Sequence, residues 1–332
     1  MDSVTQIALG ATMGELALGR KIGGRAALAG AICGTLPDLD SFIPYADAVA
    51  TVTFHRSFSH SLFILALISP VVAWVMSKLF RRVGGNWQLW WPLCFFALFT
   101  HPLLDLFTVY GTQLFWPISD YPFSGSTIFI IDPAYTLPLV VGVLTALFLK
   151  RESEGRQISA WLGLGLSSVY LVWTVGAKFH IERVMREELS DQELAWQSIL
   201  TTPAPFNSIL WRAVVMAEGG YYEAWYSMLD EPHTLEFSFH ADDKTLIEPI
   251  WRHWPVQRLA YFTHGFFGVR EMNGSVVMSD LRMGVEPTYT FNYRVADFKD
   301  GATVPVVSTR VETPWDPRQL NALLARVFNP VR

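Results

Sequence analysis

The sequence predicts an α-helical polytopic membrane domain of about six helical segments over residues 1–180, followed by a C-terminal extramembrane α+β domain over residues 181–332. Composition is the first reason: 51% of the 332 residues are hydrophobic and 17% are charged, against roughly a quarter charged in an ordinary soluble domain. Distribution is the second. Long apolar runs fill the first 180 residues, while charges and aromatics are interspersed through the rest. The third is the recurrence of Lys and Arg at alternate ends of those runs, which is how a multi-pass helical protein fixes its orientation.

Residues 5–19 and 26–36 are apolar and rich in Gly and Ala, separated by the basic turn at Arg20, Lys21 and Arg25. Each is shorter than the roughly 20 residues of a clean span, so a close-packed hairpin of two short helices fits. An interfacial or re-entrant pair is the other reading. Residues 61–80 form a full-length span ending at Lys78, Arg81 and Arg82, and residues 87–108 form another, opened by Trp87, Trp90 and Trp91 as an interfacial belt. Further spans follow at about 134–149, stopping at Lys150 and Arg151, and at about 158–178. With the basic clusters on the cytoplasmic side, six segments alternate without conflict. Both chain ends, the 37–60 loop, the His101/Asp105 end of its segment and the 110–133 loop then share the outer face.

Beyond the spans, residues 181–200 carry an amphipathic helical pattern, broken at Thr201-Thr202-Pro203-Ala204-Pro205. Residues 209–217 and 221–229 read as a hairpin turning at Gly219-Gly220, with later strands at 233–239, 275–281 and 288–295. The net charge of −5 leaves no basic patch for nucleic acid. Cys33 and Cys94 both lie in apolar stretches, where a small buried hydrophobe is the common role and no disulfide framework is expected. The opening Met1-Asp2-Ser3 lacks a basic n-region, so the first segment is expected to be retained.

Chemistry concentrates at the outer mouths of the spans. His101 and Asp105 are spaced i, i+4, which puts both on one helix face and suits two ligands of one metal. Pro37-Asp38-Leu39-Asp40 presents two carboxylates around a Leu. In His55-Arg56-Ser57-Phe58-Ser59-His60-Ser61, His55 is expected in an approach loop, while Ser59 caps the helix that holds His60. Arg56 offers a planar fork of donors suited to a phosphoryl oxygen. Three His and several Asp at one membrane face read as a metal site, because ionisable groups there are costly without a function. Asp2 is a further candidate ligand. Glu15 falls nearer the inner end, and Tyr110, Gly111, Thr112, Trp116 and Pro117 are candidates for the pocket rim. His180, His233, His240, His253 and His264 lack ligand spacing and read as surface or core residues.

These motifs, with the opening Met1-Asp2-Ser3-Val4-Thr5-Gln6, resemble the YdjM family of predicted membrane-bound metal-dependent hydrolases over about residues 1–180. Gln6 stands where many members of that family carry His. The order Asp, His, then His-x-x-x-Asp is also similar to zinc-dependent phospholipase C and the fungal single-strand nucleases. That resemblance implies Asp38 or Asp40 as a bridging ligand, His55 or His60 as an imidazole ligand and His101 with Asp105 as the helical pair, with Asp120 and Asp132 as candidates for the later ligands.

The expectation is a multi-pass inner-membrane hydrolase of a phosphoester, that of a lipid included, using one or more Zn2+ ions, with its site and C-terminal domain extracytoplasmic. Asp38, Asp40, His55, His60, His101, Asp105 and Asp2 would hold metal. Arg56 would stabilise developing charge, and a carboxylate free of metal, Asp40 first, would act as general base. The bilayer is the expected partner. A non-enzymatic metal-binding protein or an ion or proton transporter is the competing class, and Glu15 is its best support.

Overall fold

The computed structural model describes residues 1–81, 86–231, 234–299, 301–314, 317–329 and 331. Arg82 and His233 therefore lie outside the described residues. The chain divides into two compact units. The first comprises Met1–Phe42 with His55–Val175, and the second Ile43–Phe54 with Gly176–Arg332.

The first unit is helical. Helix α1 (Ser3–Ile22) starts under Asp2, whose carboxylate accepts from Val4 N and Thr5 N, and ends at Gly23, whose φ of 67° a side chain would oppose. Helix α2 (Gly24–Thr35) turns straight back against it. The small residues explain the closeness of this hairpin, because a Cβ on Gly14 would collide with the Ala26 carbonyl oxygen and one on Gly30 with that of Gly10. Helix α3 (Ala48–Phe54) belongs to the second unit. Helix α4 (Leu62–Leu79) is capped by Ser61, and α5 (Trp87–Asp105) ends on the candidate ligand pair. Helix α6 (Pro133–Phe148) is capped by Asp132, and α7 (Glu154–Asp191) follows it. Gly142 and Gly163 repeat the close helix contact between α6 and α7. The core gathers Leu9, Met13, Cys33, Trp90, Leu93, Cys94 and Leu139.

Six helices thus occupy the positions of the six expected segments. Among the described residues, two of them, Leu62–Leu79 and Glu154–Asp191, are long and apolar enough to cross a membrane, while Pro133–Phe148 is apolar but shorter. Pro102 lies within α5, one turn from its C-terminal end.

The second unit is built on two antiparallel four-stranded sheets. Strands β1 (Ser198–Pro203), β2 (Leu210–Ala217), β3 (Gly220–Ser227) and β4 (Ser238–Ala241) lie in that order. The expected hairpin is β2–β3, with Gly219 at φ 71°. The other sheet runs β10 (Ala302–Val311), β9 (Asn292–Lys299), β6 (Ser275–Asp280), β5 (Phe267–Met272). A two-residue ladder joins β7 (Gly284–Val285) to β8 (Thr288–Tyr289), and helices α8 (Trp254–Phe262) and α9 (Pro317–Phe328) complete the unit. Ile181, Met185 and Leu189 of α7 pack with Trp211, Ala213, Val215 and Ala224 of β2 and β3.

Two expectations are corrected. The helical pattern at 181–200 is realised in part: residues 181–191 are the end of α7, which runs unbroken to Asp191, whereas Ser198–Leu200 begin a strand registered against Val214–Met216. Glu193, at φ 53°, ends the helix, and pairing with β2 overrides the amphipathic pattern that follows. The second correction concerns the 37–60 loop, whose middle folds with the second unit. There Ser308 Oγ donates to Asp47 Oδ1 at 2.7 Å and accepts from Val49 N at 3.1 Å, and Phe54 stacks on Trp254 at 6.0 Å.

Candidate metal centre

Asp38, His60, His101 and Asp105 come together in the first unit, with one potential ligand atom from each lying within 4.8 Å of all the others. The last turn of α5 supplies His101 and Asp105. Asp38 comes from the 3₁₀ turn Pro37–Phe42, and His60 from the short 3₁₀ turn Phe58–His60 just before α4. His60 Nε2 lies 3.1 Å from His101 Nε2, 3.4 Å from Asp38 Oδ1 and 3.3 Å from Asp105 Oδ2. His101 Nε2 is 3.4 Å from each of the same two oxygens. His60, His101 and Asp105 are buried, whereas the Asp38 side chain is 26% exposed.

The outer nitrogens of both rings are already engaged. His101 Nδ1 donates to the Gly34 carbonyl at 2.6 Å, an acceptor that the α1–α2 packing holds in place. His60 Nδ1 lies 2.9 Å from Ser59 Oγ, and Ser59 in turn donates to Asp40 Oδ2 at 2.5 Å. In the neutral rings these bonds leave each Nε2 with a lone pair directed at the cluster, the arrangement by which outer partners orient metal-binding histidines. Two imidazole lone pairs and two carboxylates then face one another. Asp105 Oδ2 is buried and accepts no hydrogen bond. Four converging acceptors repel unless a proton or a metal ion lies among them, so these four groups could hold a metal ion.

Burial raises the Asp38 carboxyl, but when the rings are protonated hydrogen bonds from His101 and His60 outweigh it and hold the group below the ordinary carboxylate range. Burial likewise raises Asp40, and the His55 hydrogen bond and charge bring it down.

The remaining sequence candidates take other positions. Asp40 is a hub of the 55–60 loop: Oδ1 meets His55 Nδ1 at 2.8 Å, and Oδ2 accepts from Arg56 N at 2.9 Å and from Ser59. His55 lies beside the four-residue cluster, its ring centroid 6.0 Å from that of His60. Asp2 caps α1 and accepts from the Thr5 hydroxyl, which occupies its carboxylate away from the cluster. Arg56, at φ 63°, is buried. Its Nε is 3.4 Å from Asp105 Oδ2, its Nη1 donates to Thr108 Oγ1 at 3.3 Å, and its guanidinium lies 4.9 Å from the Tyr110 ring centroid. The helix cap belongs to Ser61, not Ser59, because the 3₁₀ turn delays the start of α4.

Gln6 Nε2 donates to Asp105 Oδ1 at 3.0 Å, and the Met1 amino group also bonds that oxygen. Asp132 is engaged by the α6 N-terminus and by Tyr170 Oη at 2.7 Å, and Asp120 is exposed. Glu15 forms a bidentate buried pair with Arg156. Trp116 offers its carbonyl to Ser61 Oγ, Thr112 pairs with Phe123, and Cys33 and Cys94 are buried thiols with sulfurs 3.7 Å apart. The described histidines at 180, 240, 253 and 264 do not join the cluster. Sequence reasoning missed the roles of Ser59 and the Gly34 carbonyl. The first stood inside a motif already singled out, and the second, a backbone atom, leaves no signature.

A helical unit with two membrane-length helices and a buried Asp/His cluster defines the class: a membrane protein with a candidate metal centre. The chain belongs to the YdjM inner membrane protein family, whose model matches residues 1–181. It is also similar to the uncharacterized protein YfhP of Bacillus subtilis (strain 168), at 26% identity over 230 residues, covering 67% of each chain. No solved structure matches the chain.

Proposed function

We propose that this protein is a multi-pass inner-membrane hydrolase that uses a divalent metal, zinc first, to cleave a phosphoester at the outer face of the membrane. The observation that carries this reading is the spacing of the cluster. Five of the six separations among these Nε2 and Oδ atoms are 3.1–3.4 Å and all four atoms lie within 4.8 Å of one another, close enough for one ion of the kind that binds imidazole and carboxylate to reach them together. A divalent ion held there would acidify water and polarise the phosphoryl group.

The chain's own residues divide the remaining work. Asp40 fixes His55 through Nδ1, so His55 presents Nε2 as a general base in the manner of an Asp–His pair. This moves the base from Asp40 itself to the imidazole that Asp40 orients, and takes His55 out of the ligand set. Asp40 also holds Ser59 and through it His60. Arg56 contributes positive charge beside Asp105 and lowers the energy of negative charge developing at the cluster. Six membrane segments with the basic clusters inside would put this machinery, and the C-terminal domain, outside the cytoplasm. The transport alternative drew on Glu15, whose carboxylate is taken up by Arg156.

The test is hydrolysis of bis(p-nitrophenyl) phosphate by the full-length protein in nanodiscs, before and after chelation and zinc restoration. Cleavage that disappears with chelation and in His60→Ala, and falls in His55→Ala with metal still bound, supports the reading. Metal-loaded protein that cleaves no phosphoester overturns it.

A further inference from the structure

We infer that the molecule reaching this centre is a membrane lipid with a phosphate-ester headgroup, entering over an apolar rim beside Asp38. The inference rests on the proposed phosphoester chemistry for its headgroup and on exposure for its tail. Three of the four cluster residues are buried, so an incoming group meets Asp38 first. The 3₁₀ turn that carries Asp38 also carries Leu39, 53% exposed, and Phe42, 82% exposed. A soluble substrate gains nothing from such neighbours.

The rim continues on the turn that carries His60. Phe58 is exposed there and lies 6.3 Å, centroid to centroid, from Trp116. The loop bearing Trp116 is strapped to this turn, since Gln113 N donates to the Arg56 carbonyl at 2.9 Å and Leu62 N to the Leu114 carbonyl at 3.0 Å. That loop exposes Phe115 and Ile118, the latter at 79%.

The next helix says what covers this surface. α4 begins two residues after His60 and exposes Phe63, Leu67 and Val71 at i, i+4 spacing, a stripe along one side of a membrane-length helix. The rim is therefore continuous with a surface that acyl chains cover. An amphiphile lying along it would have its chains on Phe42, Phe58 and Ile118 and its headgroup ester near Asp38. The ester of a membrane lipid sits at just such a junction of apolar and polar environments.

The experiment places full-length protein in nanodiscs of phosphatidylethanolamine and phosphatidylglycerol containing a phosphatidylglycerol with a diazirine on its acyl chain. Cross-links are mapped after illumination. We expect adducts on the peptides holding Leu39–Phe42 and Phe58 or Ile118, lost in a Phe42→Ser/Ile118→Ser variant that keeps its adducts on α4. Adducts confined to α4, α6 and α7 would overturn the inference. Activity separates it from the broader reading: cleavage of bis(p-nitrophenyl) phosphate but of no long-chain phospholipid overturns the lipid assignment alone. Rim adducts with no cleavage of either substrate would leave the lipid site standing and remove the hydrolase.

Discussion

His60 and His101 meet edge to face, with ring planes 71° apart and their Nε2 atoms 3.1 Å apart, while each Nδ1 is bonded to a fixed oxygen elsewhere. Two neutral imidazoles held this way present lone pair to lone pair. The support for that geometry is itself testable. Ser59→Ala removes the acceptor of His60 Nδ1 and severs its link to Asp40. Metal affinity, measured by competition with a chromogenic chelator, is expected to fall by about 10–100-fold, the usual effect of losing an outer partner. Unchanged affinity would show that Ser59 does not orient the ring.

The α1–α2 hairpin holds the other acceptor. Gly30→Ala would drive a Cβ into the Gly10 carbonyl oxygen and against Gly14. Separating these backbones should destabilise the helical unit by about 1–3 kcal/mol, as overpacking does, and should displace Gly34 from His101. Thermal unfolding in detergent should show a lower midpoint, and chelator competition weaker metal binding. A variant matching wild type in both would mean the hairpin is looser than its glycines imply.

Glu15 and Arg156 are both buried and joined by two hydrogen bonds. Removing one partner strands a charge, and Glu15→Gln should lower stability by about 3–5 kcal/mol. The double variant Glu15→Leu/Arg156→Leu, which strands neither, should recover most of that loss. A double variant no more stable than the single one would contradict a structural pair and return Glu15 to the list of transport residues.

In the second unit, Glu286 accepts from Arg270 Nη1 at 2.6 Å and from Tyr221 Oη at 2.7 Å. Burial raises its carboxyl, yet the Arg270 and Tyr221 hydrogen bonds and the Arg270 charge leave it below its ordinary value of 4.5. A folded value below the unfolded one means the interaction stabilises fully above the unfolded value and fades as pH falls through the folded one. Hydrogen exchange of peptides from β5 to β8 should accelerate on acidification below about pH 4.5, and Glu286→Gln should remove that dependence. Persistence of the same acid response in the variant would assign it to another group.

The helical half was readable because its signals are local. Gly and Ala spacing announced the α1–α2 hairpin, and the i, i+4 step announced His101 with Asp105. Asp38 and His60 stood out as ionisable residues beside apolar runs, and these four are the ones that converge. Asp40, His55 and Asp2 have the same residue types, and only tertiary geometry separates them from the four. Asp2 is drawn off by a helix N-terminus, and Asp40 with His55 by each other. The excursion of residues 43–54 into the second unit was not readable, because Asp47 and Phe54 find their partners, Ser308 and Trp254, some 200 or more positions away. The same non-local pairing begins a strand at Ser198–Leu200, where the pattern read helix, and carries it through Thr201–Pro203, which read as the break.

The most direct measurement is the metal content of the full-length protein purified in detergent, by elemental mass spectrometry, alongside a folded His60→Ala/His101→Ala variant. Stoichiometric zinc or another transition metal in the wild type, absent from the variant, is the expected result. No bound metal in the wild type, even after reconstitution with divalent ions, would contradict a metal centre at Asp38, His60, His101 and Asp105.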